Sequence, residues 1–314
     1  MNTELQIIQK AFPLSYYQER THELIAICPN CGDAKYRPDK KKLCINIAKR
    51  VFHCWVCEYK GRSIPRLLMK VNRRVAEEYS RKMGIFEDLS VSESITRVTL
   101  PIDFKLVMDH LWNPEAKIIR GYCHVRGLTD NDIWRYRIGF SPEQRGRLII
   151  PSFDEDGNLN YWTARRIDDN PDWKYINAKA DKTQFIFGEI DHDWTKDEVV
   201  LVEGPWDWMK CDGLNCLPLL GSTLRTDSEL FRKLILYPEK IVLALDNDAS
   251  KKRDRIAREL MQWDKEVWYV NSPTEGGFEC DWGDLSKNEN YDIITNNRIK
   301  YKSNTYLLNK IMNL

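Results

Sequence analysis

Several features that mark common protein classes are missing from this sequence of 314 residues. No apolar run approaches the ~20 residues of a membrane-spanning helix, which argues against an integral membrane protein. No signal-peptide pattern opens the chain, so we expect a cytoplasmic protein with no membrane partner. No GxxxxGK[ST] phosphate loop occurs, which argues against a fused nucleotide-driven motor. The composition, with 30% charged and 42% hydrophobic residues, is otherwise ordinary for a globular protein of two or three domains.

The net charge of only +1 conceals a strong asymmetry along the chain. Residues 20–74 carry fourteen Lys and Arg against four Asp and Glu, whereas residues 189–292 carry thirteen against twenty-three. A basic module joined to an acidic one favours a protein in which one part binds a polyanion and the other binds cations. The simpler interpretation, two surfaces that are merely solvated differently, stays open at this point.

The nine cysteines are an odd number, and four of them form two CxxC pairs. The pairs are separated by 22 residues and consist of Cys28 with Cys31 and Cys54 with Cys57. In a reducing compartment, two such pairs favour a closed tetrahedral zinc site over disulfides. His53 is an alternative ligand because it directly precedes Cys54, and Cys44 is expected in the small core. We therefore predict a structural zinc ribbon.

Aromatic residues are interleaved with the lysines and arginines of this ribbon. The three aromatics are Phe52, Trp55 and Tyr59. Cations together with stacking platforms suit single-stranded nucleic acid. Some of these rings must also cover the ribbon's core, so packing explains each of them equally well. After the ribbon, the pattern from Ile64 to Tyr79 predicts a basic helix.

Two short apolar runs later in the chain each end in acidic residues. Val199–Val202 precedes Glu203 and Asp207, and Ile241–Leu245 precedes Asp246 and Asp248. Runs rich in Val, Leu and Ile are typical of buried strands in a parallel sheet, where ligands bind at the carboxyl ends. Neighbouring carboxylates repel one another unless a divalent cation neutralises them, and Mg²⁺ favours carboxylates, water and substrate phosphates. This pattern indicates phosphoryl or nucleotidyl transfer.

The middle of the chain adds two further motifs, RGRLIIP at Arg145–Pro151 and KYIN at Lys174–Asn177. With the cysteine pairs before these motifs and the acidic clusters after them, the chain resembles the bacterial and phage DNA primases over roughly residues 24–287. Asp281-Trp282-Gly283-Asp284 is similar to the third acidic motif of that family. The order of the modules makes the resemblance specific, because other families share the acidic motifs alone.

The resemblance implies a multidomain protein with α+β and α/β parts: a zinc ribbon, a basic α+β subdomain and a Toprim domain with a central parallel sheet. The predicted ranges are 1–80 for the zinc-binding domain with its helix, 81–113 for a linker, 114–188 for the basic RNA-polymerase subdomain, 189–292 for the Toprim domain and 293–314 for a tail. Residues 298–314 of that tail are expected to form a short amphipathic helix.

The resemblance also implies Mg²⁺-dependent synthesis of short RNA primers, with Mn²⁺ as an alternative ion and one structural Zn²⁺. Catalysis is assigned to Glu203, Asp246 and Asp248, which would hold one or two metal ions. The full set of implied magnesium ligands is Glu203, Asp207, Asp246, Asp248, Asp281 and Asp284. Asp207 is equally explained as a helix cap or a supporting group, and Asp281 and Asp284 as an exposed acidic loop.

Five basic residues of the middle segment are expected to contact the template backbone and the nucleoside triphosphates (NTPs), because phosphates need cationic and bidentate donors. They are Arg145, Arg147, Arg165, Arg166 and Lys174. Each of them is alternatively a solvated surface residue. The implied partners are single-stranded DNA, NTPs and a replicative helicase in a primosome.

The sequence departs from the family pattern at one position and leaves other functions open. Cys280 stands where related phage enzymes often carry a lysine. The compact layout suggests a stand-alone phage primase, located in the host cytoplasm. The rival interpretations are a Toprim nuclease or recombination-associated protein, which would cut DNA, and a DNA-binding adaptor without enzymatic activity.

Overall fold

A computed structural model of the chain describes residues 3–33, 40–84, 98–168, 173–275 and 278–302. The chain divides into two compact units. The first contains Met1–Ser94 together with the short segments Trp194–Asp197 and Arg232–Glu239, and the second contains the remaining residues. None of the helices in the described ranges is both long and apolar enough to cross a membrane.

The first unit is built on a five-stranded antiparallel sheet in the order β1-β2-β3-β4-β5. Its elements are α1 (Thr3–Ala11), β1 (Tyr16–Gln18), β2 (Glu23–Ala26), β3 (Leu43–Asn46), β4 (Val51–Cys54), β5 (Lys60–Gly61), α2 (Ile64–Met69) and α3 (Arg73–Lys82). Alternation along β3 buries Leu43 and Ile45 and leaves Cys44 half-buried on the other face. The buried side chains of the sheet and the helices form one core.

The helix predicted from Ile64 to Tyr79 is in fact two helices, α2 and α3. Ser63 caps α2 by accepting the Arg66 N–H, and Pro65 occupies its first turn. Asn72 accepts the Val75 N–H and caps α3. Because an Asn N-cap fixes a new helix start, the chain restarts its helix there rather than continuing the first one.

The second unit contains a five-stranded antiparallel sheet in the order β10-β9-β8-β7-β6. Its strands and the helices among them are β6 (Lys105–Leu106), α4 (Pro114–Val125), α5 (Asp130–Arg135), β7 (Gly139–Phe140), β8 (Arg147–Phe153), β9 (Leu159–Arg166) and β10 (Tyr175–Asn177). A turn at Asp154–Gly157 joins β8 to β9, and the Asp154 carboxylate accepts the N–H groups of Asp156 and Asn158. This sheet carries the motifs of the predicted basic subdomain.

The same unit contains a second sheet in the order β12-β11-β13-β14-β17, in which the first four strands are parallel and β17 is antiparallel. The elements of this part of the chain are β11 (Glu198–Val202), α6 (Pro205–Lys210), β12 (Cys216–Pro218), α7 (Glu229–Leu236), β13 (Lys240–Leu243), α8 (Ser250–Met261), β14 (Glu266–Tyr269), the small pair β15 (Thr274–Glu275) and β16 (Phe278–Glu279), α9 (Lys287–Asn296) and β17 (Ile299–Lys300). From Arg232 onward, the residues of α7 belong to the first unit. The predicted parallel sheet is therefore present.

Two predicted segments differ from the folded chain. Residues 98–113 of the predicted linker include β6, which pairs with β7, and a fully buried Val107. The predicted tail from residue 293 begins inside α9, and Ile299–Lys300 is a strand paired with β14 rather than the start of a helix. Both ranges were read from local sequence, whereas pairing with distant strands decides their structure. Residues 303–314 of the predicted tail helix lie outside the described residues.

Candidate functional site

The four paired cysteines come together in the first unit. The Sγ atoms of Cys28 and Cys57 are 3.8 Å apart, those of Cys31 and Cys54 are 3.7 Å apart, and all four lie within 4.8 Å of one another. The strands bring this about, because Cys54 ends β4 and pairs with Leu43 of β3. Four convergent thiols match the donor set of a structural zinc site.

A buried carboxylate supports the cysteine cluster. Asp33 is 5% exposed and its Oδ2 accepts the N–H groups of Cys28 at 3.0 Å and Lys42 at 3.1 Å. The Asn30 N–H donates to the Cys28 Sγ at 3.4 Å. Partners of this kind orient metal ligands. Sequence reasoning missed Asp33, although its place two residues after the first CxxC pair was a usable signal.

The other ribbon residues singled out from the sequence fall into two groups. Phe52 and Tyr59 are buried against each other, with ring centroids 4.9 Å apart, so they pack in the core. Trp55 is 65% exposed, and its ring contacts the His53 ring edge-on, with the ring centroids 4.3 Å apart. The His53 Nε2 pairs with Glu58 at 3.0 Å, and neither His53 nor the half-buried Cys44 joins the cysteine cluster.

A second cluster lies in the second unit, at the ends of two adjacent parallel strands. Leu201 of β11 is in register with Leu243 of β13, so the chain segments that follow both strands emerge at one edge of the sheet. Carboxylate oxygens of Glu203, Asp246 and Asp248 lie there within 4.8 Å of one another. The Glu203 Oε1 also accepts the Asp246 N–H at 3.3 Å. The predicted catalytic carboxylates are thus brought together.

The electrostatics of this edge reflect crowded negative charge. Burial, and then the charges of Asp246, Asp248 and Asp207, raise the pKa of Glu203 from 4.5 to about 7. Burial, and then the charges of Asp246 and Asp281, raise the pKa of Asp207 from 3.8 to about 6, although the nearby Arg165 opposes this. Carboxylates with raised pKa values at one site are a feature of functional sites that bind cations.

Asp207 lies beside the three-carboxylate cluster rather than in it. Its Oδ2 accepts the Gly204 N–H at 2.9 Å, at the start of α6. This bond is one half of a capping box, with Asp207 at the third helical position. The capping interpretation thus describes the geometry, and coordination by Asp207 stays a prediction.

The third acidic motif is held in a turn whose carboxylates are also outside the cluster. Asp281 and Asp284 are exposed, and the Asp284 N–H donates to the Asp281 carbonyl at 2.9 Å. The Asp284 Oδ1 pairs with Arg126 Nη2 at 3.0 Å. Asp281 lies close enough to Asp207 to raise its pKa. A metal role for either residue stays a prediction.

A turn after β12 adds cations next to the carboxylate edge. The Gly221 N–H donates to the Glu203 carbonyl at 3.0 Å, which fixes the turn beside the cluster. Lys182 Nζ donates to the Leu220 carbonyl at 3.3 Å, and Lys252 Nζ donates to the Ser222 hydroxyl at 2.5 Å. Sequence reasoning missed Lys182, because only the fold brings residue 182 to this turn.

The five predicted basic residues divide by burial. Arg145 and Lys174 are exposed, and Arg166 is half-buried and paired with Asp168 at 3.0 Å. Arg147 is 2% exposed and donates to the carbonyls of Ala164 and Trp173, so this guanidinium is used by the fold.

Arg165 is also buried, and it holds aromatic residues in place. Its guanidinium donates to the hydroxyls of Tyr122 and Tyr175 and lies 5.1 Å from the ring centre of Trp206. Trp206 and Trp208 are themselves buried. Arg165 is only 7% exposed, and its contact with the template or a nucleotide stays a prediction.

No protein-family model matches this chain. A curated DNA primase from Chlamydia pneumoniae is 22% identical to it, and the match covers 66% of this chain and 44% of that protein. The chain therefore spans less than half the length of the curated relative that it matches.

Two solved structures share the fold of the catalytic core. The E. coli primase catalytic core is 18% identical to this chain, with a TM-score of 0.50. The match covers 65% of this chain and 80% of the E. coli chain. A DnaG primase catalytic domain bound to single-stranded DNA is also 18% identical, covering 65% of this chain and 78% of that one, with a TM-score of 0.50. The predicted resemblance to bacterial DNA primases and the predicted fold class are thus confirmed, while the phage origin stays a prediction.

Proposed function

We propose that this chain, which is similar to bacterial DNA primases, synthesises short RNA primers on single-stranded DNA. The observation that carries the proposal is the cluster of Glu203, Asp246 and Asp248 at the ends of two parallel strands. The curated DNA primase relative supports it, because that protein is similar over 66% of this chain. The solved catalytic domain bound to single-stranded DNA supports the choice of template.

The three carboxylates fit one or two Mg²⁺ ions, with Mn²⁺ as an alternative. They are hard oxygen donors within 4.8 Å of one another, and burial together with the neighbouring carboxylate charges raises the pKa of Glu203 to about 7. Bound ions would lower the pKa of the primer 3′-hydroxyl and neutralise charge at the attacked α-phosphate. The protein's part is to hold the donors on rigid strand ends, so that the hydroxyl and the phosphate are aligned.

Lys182 and Lys252 are suited to the triphosphate of the incoming nucleotide. Both ammonium groups contact the Leu220–Ser222 turn, which is tied to Glu203 through Gly221. Each lysine has donors to spare after its single described bond to the turn, since an ammonium group carries three. Cations beside the carboxylate edge can therefore hold the phosphates while the carboxylates hold the metal.

The first unit is suited to hold the template strand. We assign Zn²⁺ to the cysteine cluster, where four thiolates would close the coordination sphere and leave no position for chemistry. Trp55 offers an exposed ring for base stacking, and Lys42, just before β3, and Lys60, in β5, are exposed cations of the same unit. In the second unit, exposed Arg145, Lys174 and Trp173 could contact the template backbone and bases.

The wider context remains part of the proposal. A chain that makes primers acts where single-stranded DNA is exposed, so a replicative helicase is the expected partner and the cytoplasm the expected location. A phage origin is consistent with the compact order of motifs. Asp207, Asp281 and Asp284 are proposed to support the metal site from its rim.

The test is to incubate the purified protein with single-stranded DNA, Mg²⁺ and labelled NTPs. We expect template-dependent RNA products a few nucleotides long and intact DNA. Nicked or shortened DNA without RNA would instead support the nuclease interpretation. DNA binding with neither product, under conditions where the protein is folded and metal-loaded, would leave the adaptor interpretation and reject ours.

A further inference from the structure

Arg126, the residue after α4 at the start of the Arg126-Gly127-Leu128 turn, joins three parts of the second unit. Its guanidinium lies 5.3 Å from the ring centre of Trp206, in the helix after Glu203. The same group donates to the Gly283 carbonyl at 3.3 Å and pairs with Asp284 at 3.0 Å. Arg126 therefore connects the first acidic motif with the third.

The backbone behind Arg126 is fixed as well. Lys210, which is 2% exposed at the end of α6, donates its Nζ to the Arg126 carbonyl at 2.9 Å. Gly127 has φ +78°, and a Cβ at this position would lie 2.6 Å from the Lys210 Nζ. Only glycine suits both the left-handed conformation and the close approach. The turn is thus anchored on α6 independently of the guanidinium.

Two arginines contact the Trp206 ring. Arg165 lies 5.1 Å from the Trp206 ring centre and Arg126 lies 5.3 Å from it, and the tryptophan is 1% exposed. A cation over the face of a desolvated indole is attracted by the ring's electrons. The buried Trp206 ring therefore gives the Arg126 guanidinium a fixed surface to stack on.

The third acidic motif sits directly on this support. A Cβ at Gly283 would lie 2.8 Å from the Trp206 Cδ1 and 3.0 Å from the Asp207 Oδ1, so no larger residue fits there without a shift. On its other side the loop is anchored by Trp282, which is fully buried and whose carbonyl accepts the Asn290 side chain at 2.9 Å. The loop is thus placed against Asp207 with little freedom.

We propose that Arg126 is a positioning residue for the metal site. It binds the Asp284 carboxylate and the Gly283 carbonyl, and it thereby holds the loop so that Asp281 faces the Glu203 edge. In this arrangement Asp284 is an anchor rather than a ligand, because its Oδ1 is already paired with Arg126. Asp281 is the other exposed carboxylate of this loop, and the loop lies against Asp207 at Gly283. The inference rests on the proposed function only for the identity of the ion.

Direct titration of Mn²⁺, followed by electron paramagnetic resonance of the free ion, tests this without template or nucleotide. Arg126→Gln and Asp284→Asn should each weaken Mn²⁺ binding roughly tenfold, the lower end of the range for partners that orient ligands. The double variant should be no weaker than either single one, because both changes release the same anchor. Asp281→Asn should weaken binding at least as much.

Arg120→Gln is the matched control. Arg120 lies on the same helix, is partly exposed and pairs with Asp130 at 2.6 Å, so its loss removes an ion pair without touching the loop. Its Mn²⁺ affinity should stay within twofold of the parent protein. Should Arg126→Gln fail to fold, Arg126→Lys decides, since it keeps the charge but loses the planar stack and is expected to bind Mn²⁺ more weakly than the parent.

Two results would overturn the proposal. One is an Arg126 variant, folded by its melting temperature, that binds Mn²⁺ like Arg120→Gln. The other is a double variant whose loss of Mn²⁺ affinity equals the product of the two single losses. That result would make Asp284 an independent ligand. If the expected pattern holds but no RNA is ever made, the proposed function is wrong and the positioning role stands.

Discussion

The two candidate metal sites of this chain are assembled in opposite ways. The four cysteines lie within 30 residues of sequence and meet at the end of a hairpin, with a buried Asp33 behind them. The carboxylates come from positions 203, 246 and 248, on strand ends separated by more than one complete helix. The first cluster brings enough thiols to close a coordination sphere, whereas the second offers three carboxylates at an open edge of the sheet.

This difference suggests that the first site stabilises the fold and the second takes part in the chemistry. A closed sphere of thiolates stabilises a small module whose core alone is weak. An open edge of carboxylates leaves coordination positions for water and substrate phosphates. The first site should therefore fail by unfolding and the second by loss of chemistry without unfolding.

The largest expected effect is on chemistry at the open site. Asp246→Asn should lower primer synthesis by roughly 10²–10³-fold or more, because a donor to the metal is lost where charge develops. Its melting temperature should stay near that of the parent protein. The control is Glu259→Gln, which removes an acid of α8 that is paired with Arg255 at 3.0 Å. Primer yield from Asp246→Asn equal to that of the control would contradict the assignment.

The next effect separates the closed site from the open one. Cys54→Ser should lose bound zinc and unfold the ribbon, because structural zinc contributes about 10 kcal/mol or more to folding such modules. Cys44→Ser, in the neighbouring strand but outside the cluster, should keep one zinc per chain. Metal content and template-dependent initiation are measured together. Equal zinc content in the two variants would mean that the cysteine cluster is not the site.

The smallest effect concerns pH and the carboxylate repulsion. Because the pKa of Glu203 is raised from 4.5 to about 7, its contribution to folding is present below pH 4.5 and is lost as the pH rises through 7. Without Mg²⁺, Glu203→Gln should therefore raise the free energy of unfolding at pH 8 by about 1–2 kcal/mol after allowance for solvent screening, and change it little at pH 4.5.

Urea unfolding at the two pH values, in buffer free of Mg²⁺, measures this difference. Glu259→Gln should show no such dependence on pH. If the Glu203→Gln protein is less stable than the parent at pH 8, the Glu203 carboxylate of the parent is already neutralised by another group of the protein. Saturating Mg²⁺ should reverse the sign, since only the parent gains the bound ion.

The sequence predicted the features that depend on neighbouring residues and missed those that depend on distant ones. The cysteine spacing and the strand-end acids identified both clusters, because each signal is local. The burial of Arg147 and Arg165 could not be predicted, because a basic motif says nothing of burial. In the fold both side chains donate to carbonyl or hydroxyl oxygens, and their contacts with template or NTPs stay predictions. Lys182 and Arg126 gave no local signal, because their partners lie 38 to 158 residues away in the chain.

The element boundaries show the same limit. The amphipathic helix was predicted to start at residue 298, yet Ile299–Lys300 pairs with β14. The Trp268 indole ring lies 5.4 Å from the Lys300 ammonium and the Glu266 carboxylate 3.1 Å from it, contacts that periodicity cannot reveal. Tertiary pairing overrides local propensity where the edge of a sheet is available.

The central claim is that divalent ions held by Glu203, Asp246 and Asp248 act on the α-phosphate of the incoming nucleotide. The most direct measurement compares primer extension with ordinary and α-thio-substituted NTPs in Mg²⁺ and in Mn²⁺. Sulfur is a poor ligand for the hard Mg²⁺ ion, so we expect the α-thio nucleotide that directs sulfur to the metal to be used slowly in Mg²⁺ and to recover in Mn²⁺. Equal use of both nucleotides in Mg²⁺, or a slow reaction that Mn²⁺ does not relieve, would contradict the claim.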